Sequence, residues 1–252
     1  MRMRSSLEAI AVAVGRLLHR VRRTATPFDT DEVVRLRRAQ WTVVETNRID
    51  TLKRRLLRGE IAAKLYGLGA PRKERKAFLV IGPPAAGKSR LLVEPLASDH
   101  GALVIDADTA KGFLPEYATG SFAAAVHEES AEIAYGTVLG WAIKNGDNVV
   151  IAIVGKSVEN VRIYRDALCR SGYEVHLRLL HVSPEESARR AVARLEENGR
   201  FVDPYYILNE VSSKPRRVFD TLKAEKGCVS YEAWSNEVPK GEPPVLLERY
   251  PP

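Results

Sequence analysis

The segment that most restricts the fold of this chain is a glycine-rich turn at residues 82–89. It reads Gly-Pro-Pro-Ala-Ala-Gly-Lys-Ser and fits the phosphate-loop pattern G-x-x-x-x-G-K-[ST] at every fixed position. In such a loop, backbone N–H groups point inward at a phosphate, and the following helix adds the positive end of its dipole. A plain glycine turn is the alternative, but an apolar run before the turn and a helical pattern after it favour a phosphate loop.

Each fixed position of the loop has a physical role. Gly82 and Gly87 permit backbone geometry and a close approach that a β-carbon would hinder. Lys88 reaches the β- and γ-phosphates of a nucleoside triphosphate, and the hydroxyl of Ser89 can ligate Mg²⁺. The predicted nucleotide-binding residues are Gly82, Pro83, Pro84, Ala85, Ala86, Gly87, Lys88, Ser89 and Arg90.

Apolar runs alternate with helical patterns from residue 77 onward. This alternation is typical of right-handed βαβ units, so we expect an α/β fold in which helices cover both faces of a parallel sheet, a three-layer α/β/α arrangement. The predicted strands are Ala77–Ile81, Ala102–Ile105, Asn148–Val154, Val175–Val182, Cys228–Trp234 and Val245–Arg249, and the predicted helices are Ser89–Ala97, Ser121–Lys144, Val158–Ser171 and Pro184–Asn198.

The first 76 residues form a basic arm, which we predict to be a helical N-terminal extension of a kinase domain at 77–252. They hold 19 of the 39 Lys and Arg residues and 8 of the 32 Asp and Glu residues, a net charge of +11. The rest, with 20 basic and 24 acidic residues, carries −4. The pattern predicts a basic amphipathic helix over 1–23 and a second helix from about Asp31 to Tyr66, with a break near Arg48–Thr51 as an option.

The charge of the arm leaves its partner open. It can bind nucleic acid or an anionic membrane surface, or it can be a solvated helix face or a surface that docks on the acidic body or on an acidic partner protein. The second group, a solvated face or docking on protein, is favoured because aromatic residues that could stack on bases are scarce in the arm. Inhibition in cis, with the arm in the cleft, is a further hypothesis.

Composition excludes several classes of protein. The cysteines, Cys169 and Cys228, are too few for a disulfide framework or a four-cysteine zinc site. No stretch approaches the roughly 18 to 20 apolar residues of a membrane span. We therefore expect a soluble protein of a reducing compartment, the cytoplasm.

Two carboxylates follow the second predicted strand. Asp106 and Asp108 lie two residues apart, at the sheet edge where ligands bind in open α/β folds. A carboxylate there can accept the proton of an attacking hydroxyl or help to hold Mg²⁺ through water. As an alternative, Asp108 caps a helix that begins near Thr109.

At this point the chain resembles the zeta toxin family of P-loop kinases over roughly residues 77–220. The resemblance rests on the phosphate loop, on Val-Ile-Asp-Ala-Asp-Thr at 104–109 with Lys111, and on shorter matches. These are Pro-Glu-Tyr at 115–117, His-Glu-Glu-Ser at 127–130, Asn-Val-Val-Ile at 148–151 and Gly-Tyr-Glu-Val at 172–175.

The resemblance implies a nucleotide-kinase-like sheet and a phosphoryl transfer from ATP or GTP with Mg²⁺. The best-studied members of the family phosphorylate the 3′-hydroxyl of UDP-N-acetylglucosamine, and many are neutralised by an antitoxin protein. Asp108 falls on the family's catalytic base, and Arg194 and Arg200 fall on its two arginines. Mobile arginines of this kind stabilise the charge on the transferred phosphoryl group. An ordinary charged helix, with Glu185, Glu186, Glu196 and Glu197 paired to the arginines, is the alternative.

The third predicted strand departs from the family. Ala152 and Val154 replace a Glu and a Thr that hold the sugar nucleotide, and apolar side chains cannot make those hydrogen bonds. Each lost bond costs about 1–3 kcal/mol, so two cost about 10- to 10⁴-fold in affinity. Glu128, Glu129 and Ser130 are predicted, with Asp106, to supply acceptor contacts, although an acidic pair at a helix start is equally explained by the helix dipole.

Three functions remain open from the sequence. The first is a zeta-toxin-like kinase of UDP-N-acetylglucosamine or a related small anionic acceptor. The second is a kinase of another hydroxyl acceptor, such as a nucleoside, an antibiotic or a nucleic-acid end. The third is a non-enzymatic nucleotide-binding module whose helical arm docks a partner.

Overall fold

A six-stranded sheet organises the chain, as expected for an α/β fold. The computed structural model describes residues 25–40, 45–117, 122–239 and 241–251. The strand order is β2-β3-β1-β4-β5-β6, and every neighbouring pair is parallel except β5 and β6. The strands are β1 Lys76–Ile81, β2 Leu103–Ile105, β3 Val149–Ile153, β4 Glu174–His181, β5 Ser230–Ser235 and β6 Val245–Tyr250.

Helices cover both faces of this sheet, which confirms the three-layer prediction. The π-helical segment Ser89–Val93 leads into one of them, Glu132–Val138 joins two others, and a further π-helical segment spans Tyr206–Val211. The α-helices are α1 Asp31–Gln40, α2 Leu52–Tyr66, α3 Glu94–His100, α4 Ala107–Lys111, α5 His127–Ala131, α6 Leu139–Asn145, α7 Val158–Arg170, α8 Pro184–Asn198 and α9 Lys214–Ala224.

The single long helix predicted from about Asp31 to Tyr66 is wrong. The chain forms α1 and α2, separated by a 3₁₀ turn at Thr46–Arg48. Each helix has its own N-terminal cap. Thr30 accepts a hydrogen bond from the Val33 N–H at 3.2 Å at the start of α1, and Thr51 accepts one from the Arg54 N–H at 3.2 Å at the start of α2. The interruption includes Arg48–Thr51, the break considered as an option from the sequence. The helix predicted over 1–23 lies outside the described residues.

The apolar core lies on both faces of the central strand β1. Leu79 is fully buried and is in register with Ile151 on β3 and Leu177 on β4, on the face covered by the π-helical segment Glu132–Val138, α6, α7 and α9. Phe78 and Val80 face the opposite side, towards the phosphate loop and the helix after it. The core on the first face also takes in Ile61, Ala62 and Leu65 of α2, so this part of the basic arm packs on the body of the protein.

Among the described residues, no helix combines the length and the apolar composition that a membrane span requires.

Candidate active site

The turn after β1 has the geometry of a phosphate loop. A β-carbon at Gly82 would lie 2.6 Å from the carbonyl oxygen of Leu180, and Gly87 has a φ of +91°, so both positions require glycine. Two side chains from elsewhere hold the loop. Ser187 Oγ donates to the Pro84 carbonyl at 2.7 Å, and Asn236 Nδ2 donates to the Ala86 carbonyl at 2.8 Å. The loop is therefore fixed from α8 and from the end of β5.

The ammonium group of Lys88 lies back on its own loop. Its Nζ donates to the carbonyl oxygens of Gly82 at 2.7 Å and Pro83 at 2.8 Å. Burial lowers the pKa of Lys88 to about 8, although the carboxylates of Asp106 and Asp108 oppose the shift. A bound phosphate anion would stabilise the charged ammonium form and so raise the pKa of Lys88.

Asp106 and Asp108 have different partners and different proton affinities. Asp106 caps α4, since its Oδ1 accepts from the Asp108 N–H at 2.9 Å, and its pKa is raised by burial and by the neighbouring Asp108. Burial would also raise the pKa of Asp108, but Lys111 and Arg200 outweigh it and bring the pKa to about 2. The capping role considered for Asp108 thus belongs to Asp106.

Asp108 lies between two cations. Lys111 Nζ donates to Asp108 Oδ1 at 2.8 Å, and Arg200 Nη2 donates to Oδ2. Lys111 is 7% exposed, so its charge is largely held inside the site. The structure therefore brings together a phosphate loop, a carboxylate and two cations from three separate parts of the chain.

Arg194 carries an unused hydrogen-bond donor into the same region. Its Nε is buried and has no hydrogen-bond partner among the described residues. Burial and the nearby charge of Arg200 lower the pKa of Arg194, while Asp108 opposes the shift. The ordinary charged helix considered as the alternative is seen one turn earlier, where Arg189 and Arg190 both bind Glu186 at 2.6–2.7 Å.

The structure gives Glu129 partners other than an acceptor substrate. Its fully buried carboxylate accepts hydrogen bonds from Arg54 at 2.5 and 2.8 Å, from Arg58 at 2.7 Å and from Thr46 at 2.5 Å. Burial would raise the pKa of Glu129, but these donors lower it to about 2. Glu129 therefore binds the N-terminal arm to the body.

The neighbours of Glu129 are also occupied. Asn47 donates to the carboxylate of Glu128, and Ser130 Oγ donates to the His127 carbonyl at 2.8 Å. In the structure, Glu128 and Glu129 contact the arm and Ser130 contacts the first turn of α5, and the acceptor contacts expected from these three residues stay a prediction. An ion pair between residues 75 positions apart has no local signal in the sequence.

The sequence model of the zeta toxin family matches residues 64–232, two thirds of the chain. The chain belongs to the zeta toxin family. It is accordingly a P-loop phosphotransferase, and the four residues that the family resemblance singled out, Lys88, Asp108, Arg194 and Arg200, come from segments inside this match.

Solved structures of this fold agree with the family. The structure described for the PezAT chromosomal toxin-antitoxin system of the human pathogen Streptococcus pneumoniae aligns with a TM-score of 0.58 and 20% identity over 80% of this chain and 81% of that one. The AvrRxo1-ORF1:-ORF2 complex with ATP aligns with a TM-score of 0.60 and 17% identity over 89% and 74% of the two chains. At these identities the likeness establishes the fold. No curated protein sequence matches this chain.

At the end of β3, where the resemblance to the zeta toxin family predicts polar substrate contacts, this chain carries Ala152 and Val154. Ala152 is buried in the apolar cluster beneath the phosphate loop, together with Ala86. The backbone carbonyl of Ala152 accepts a hydrogen bond from the Tyr135 hydroxyl at 2.7 Å. Tyr135, which sequence reasoning missed, lies in the π-helical segment, and burial raises its pKa, so it remains a neutral donor.

Proposed function

We propose that this protein transfers the γ-phosphoryl group of ATP or GTP to a hydroxyl of a small anionic acceptor. The observation that carries the proposal is the meeting of Lys88, Asp108 and Arg194 with Arg200 at the carboxyl edge of the parallel sheet. A neighbour of the same fold was solved with ATP, which supports a nucleoside triphosphate as the donor.

The reaction follows from these side chains. The acceptor oxygen attacks the γ-phosphorus, the bond from that phosphorus to the β–γ bridging oxygen breaks, and the nucleoside diphosphate leaves with the electron pair. The hydroxyl proton passes to Asp108. The loop N–H groups and Lys88 hold the donor phosphates, and Arg194 with Arg200 balances the charge of the moving group.

Asp108 must change its partner before it can act as a base. A carboxylate with a pKa of about 2 is a weak proton acceptor, and the cation Arg200 is one cause of that low value. The γ-phosphate is a competing anion for the same guanidinium. We infer that Arg200 moves from Asp108 to the donor phosphate, which raises the proton affinity of the carboxylate.

Residues of the site fit a magnesium ion that arrives with the nucleotide. Ser89 is exposed at the first turn after the loop and offers a hydroxyl, and Asp106 offers a carboxylate at the carboxyl end of β2, which β3 separates from β1. These are the hard oxygen ligands that Mg²⁺ prefers, with nucleotide oxygens completing the set. When bound, the ion supplies charge neutralisation at the phosphates. In the described part of the chain, no group of three or more His, Cys, Asp or Glu side chains is placed to hold a metal ion.

Cations beside the site favour an anionic acceptor. A cavity of about 330 Å³ is lined by Lys156, Lys214 and Arg217, with one carboxylate, Glu159. The Lys156 Nζ lies 4.8 Å from the ring centroid of Tyr206, whose pKa burial and the charges of Glu210 and Asp108 raise to about 12. Lys156 follows β3, whose carboxyl end lies between those of β1 and β2, and we propose that the cavity belongs to the acceptor side.

The identity of the acceptor is the more specific part of the proposal. UDP-N-acetylglucosamine is the first compound to test, and the apolar Ala152 and Val154 predict a weaker affinity for it than their polar counterparts would give. The same observation favours, as a second candidate, a kinase of another hydroxyl acceptor.

One experiment separates these candidates. The protein is incubated with γ-labelled ATP or GTP, Mg²⁺ and either UDP-N-acetylglucosamine or a small-metabolite extract, and labelled products are isolated. We expect a labelled phosphomonoester that is absent when Lys88→Ala protein is used. Firm Mg·ATP binding without any labelled product would leave a non-enzymatic nucleotide-binding module as the better description.

An antitoxin protein is the partner that we propose for this chain. The relatives are described as a toxin-antitoxin system and as a two-component complex, which supports the proposal. Co-purification with the product of the adjacent reading frame tests it, and a chain that purifies alone under these conditions would speak against it.

Nucleotide affinity should depend on pH through Lys88. Because the free protein has a Lys88 pKa of about 8 and the phosphates require the ammonium form, binding takes up a proton above that pH. We expect an affinity for Mg·ATP that is constant below about pH 7 and falls towards tenfold per pH unit above pH 8.

Calorimetry between pH 6.5 and 9 in buffers of different ionisation enthalpy measures this effect. Lys88→Arg is the matched variant, because a guanidinium stays charged over the whole range. An affinity that is the same at pH 7 and pH 9 in the unmodified protein would show that the Lys88 ammonium is not titrating in this range.

A further inference from the structure

Helix α1 contacts the segment that carries Arg200, although α1 precedes the family match at 64–232. The link is Arg37, which is 1% exposed. Its Nε donates to Asp203 Oδ2 at 2.8 Å, and its Nη2 donates to Asp203 Oδ1 at 2.7 Å. The other side of the guanidinium binds both carboxylate oxygens of Asp29 at 2.7 Å. Arg37 thus joins Asp29, just before α1, to a residue three positions beyond Arg200.

A second contact fixes the residue next to Arg200. Phe201 is 1% exposed and packs against Val33 and Leu36 of α1, with Val192 and Leu195 of α8 at the edge of the same cluster. The segment from Gly199 to Asp203 is therefore attached to α1 through an apolar side chain and through a buried ion pair. Arg200 itself is partly exposed and reaches Asp108 from this attached segment.

The two contacts restrict the position of Arg200. An irregular segment after a helix has many conformations, and ordering it costs conformational entropy. Attachment at Phe201 and Asp203 removes most of that freedom before the donor binds. A misplacement of about 1 Å in a catalytic arrangement can cost about 10²-fold in rate.

We propose that Arg37 is a positioning residue for phosphoryl transfer, because it holds the segment that places Arg200 at Asp108 and at the donor phosphate. The N-terminal arm then contributes to activity, in contrast to the inhibition in cis considered from the sequence. This inference rests on the proposed function, since it assigns a role in the same reaction.

Single-turnover hydrolysis of γ-labelled Mg·ATP by the full chain tests this inference, with water as the acceptor. Arg37→Met is expected to lower the turnover rate by about 10- to 10²-fold with little change in Mg·ATP affinity by calorimetry. Arg35→Met is the matched control, since Arg35 lies on the same helix and binds its own neighbour Glu32 in an exposed pair. This control should turn over as the unmodified protein does.

A double-mutant cycle separates positioning from general stability. If Arg37 acts through Arg200, Arg37→Met should cause no further loss in an Arg200→Ala background. The same fractional loss in both backgrounds would overturn the inference, and so would unchanged or increased turnover in Arg37→Met alone. Arg37→Lys keeps the charge without the bidentate geometry, so it gives an intermediate loss and serves if Arg37→Met does not fold.

Amide hydrogen exchange of the peptide covering 199–205 provides a readout that needs no turnover. We expect faster exchange there in Arg37→Met than in Arg35→Met, with the strands of the sheet unchanged. If the unmodified protein binds Mg·ATP but transfers the γ-phosphoryl group neither to water nor to any acceptor in the labelling experiment, the proposed function fails. In that case, equal exchange in the two variants would overturn the positioning role independently.

Discussion

Replacement of Asp108 by Asn is expected to slow phosphoryl transfer by about 10²- to 10⁴-fold, the usual contribution of a positioned general base. The amide has nearly the same shape as the carboxylate but cannot accept the hydroxyl proton. The phosphate loop and Lys88 are untouched, so Mg·ATP should bind with nearly unchanged affinity. Rapid-quench measurement with the acceptor that the labelling experiment identifies gives the rate, and calorimetry gives the affinity.

Asp99→Asn is the matched control for this variant. Asp99 is an exposed carboxylate on α3, so its replacement makes the same chemical change outside the site. It should behave as the unmodified protein in both measurements. Full turnover in Asp108→Asn would remove Asp108 as the base and would direct attention to another proton acceptor.

Replacement of Arg194 by Ala is expected to have the largest effect, a loss of about 10³- to 10⁵-fold in transfer, as for arginines that stabilise the transition state of other phosphoryl-transfer enzymes. The structure supports an effect of this size because the buried Nε of Arg194 has no hydrogen-bond partner in the part of the chain that the structure describes, and the donor phosphate can use it. Because no described residue is hydrogen-bonded to that Nε, removing it leaves no described group without its partner. The thermal unfolding midpoint should therefore stay close to that of the unmodified protein.

Arg189→Ala is the control on the same helix. Arg189 binds Glu186 in an exposed pair, and such pairs contribute about 0.3–0.5 kcal/mol to stability. We expect normal transfer in that variant. If the Arg194→Ala variant also transfers the phosphoryl group at the normal rate, the Arg194 guanidinium is only a structural feature of α8. Stabilisation of the charge on the transferred group would then be assigned to Arg200 alone.

The regular elements of the fold were predictable where local signals were strong. Both ends of α8 were predicted, because Pro184 occupies its first turn and Gly199 ends it with a φ of +73°. By contrast, the apolar spacing between Asp31 and Tyr66 continues across a true break, so periodicity alone could not show that Thr51 begins a new helix. Helix α9 was not predicted, although Pro215 near its start and the buried Val218, Phe219 and Leu222 gave a signal.

Residues of the candidate site could be predicted from the sequence where a short motif specifies their role. The phosphate loop and Asp108 follow from short patterns and from the carboxyl edge of a parallel sheet. The partners of Glu129, and those of Arg37, come from sequence separations of 75 and 166 residues, for which no local pattern exists. The net charge of the arm indicated docking on the body, and the arginines at positions 37, 54 and 58 make such contacts.

The pairing of Arg200 with Asp108 has a consequence for the order of events in catalysis. Without a nucleotide, the carboxylate is neutralised by its guanidinium neighbour, and an acceptor that enters first meets no competent base. Either substrate can therefore enter first, but proton transfer from the acceptor hydroxyl should begin only once the triphosphate has drawn the guanidinium away. The protein thus couples activation of the nucleophile to the presence of the group that it attacks.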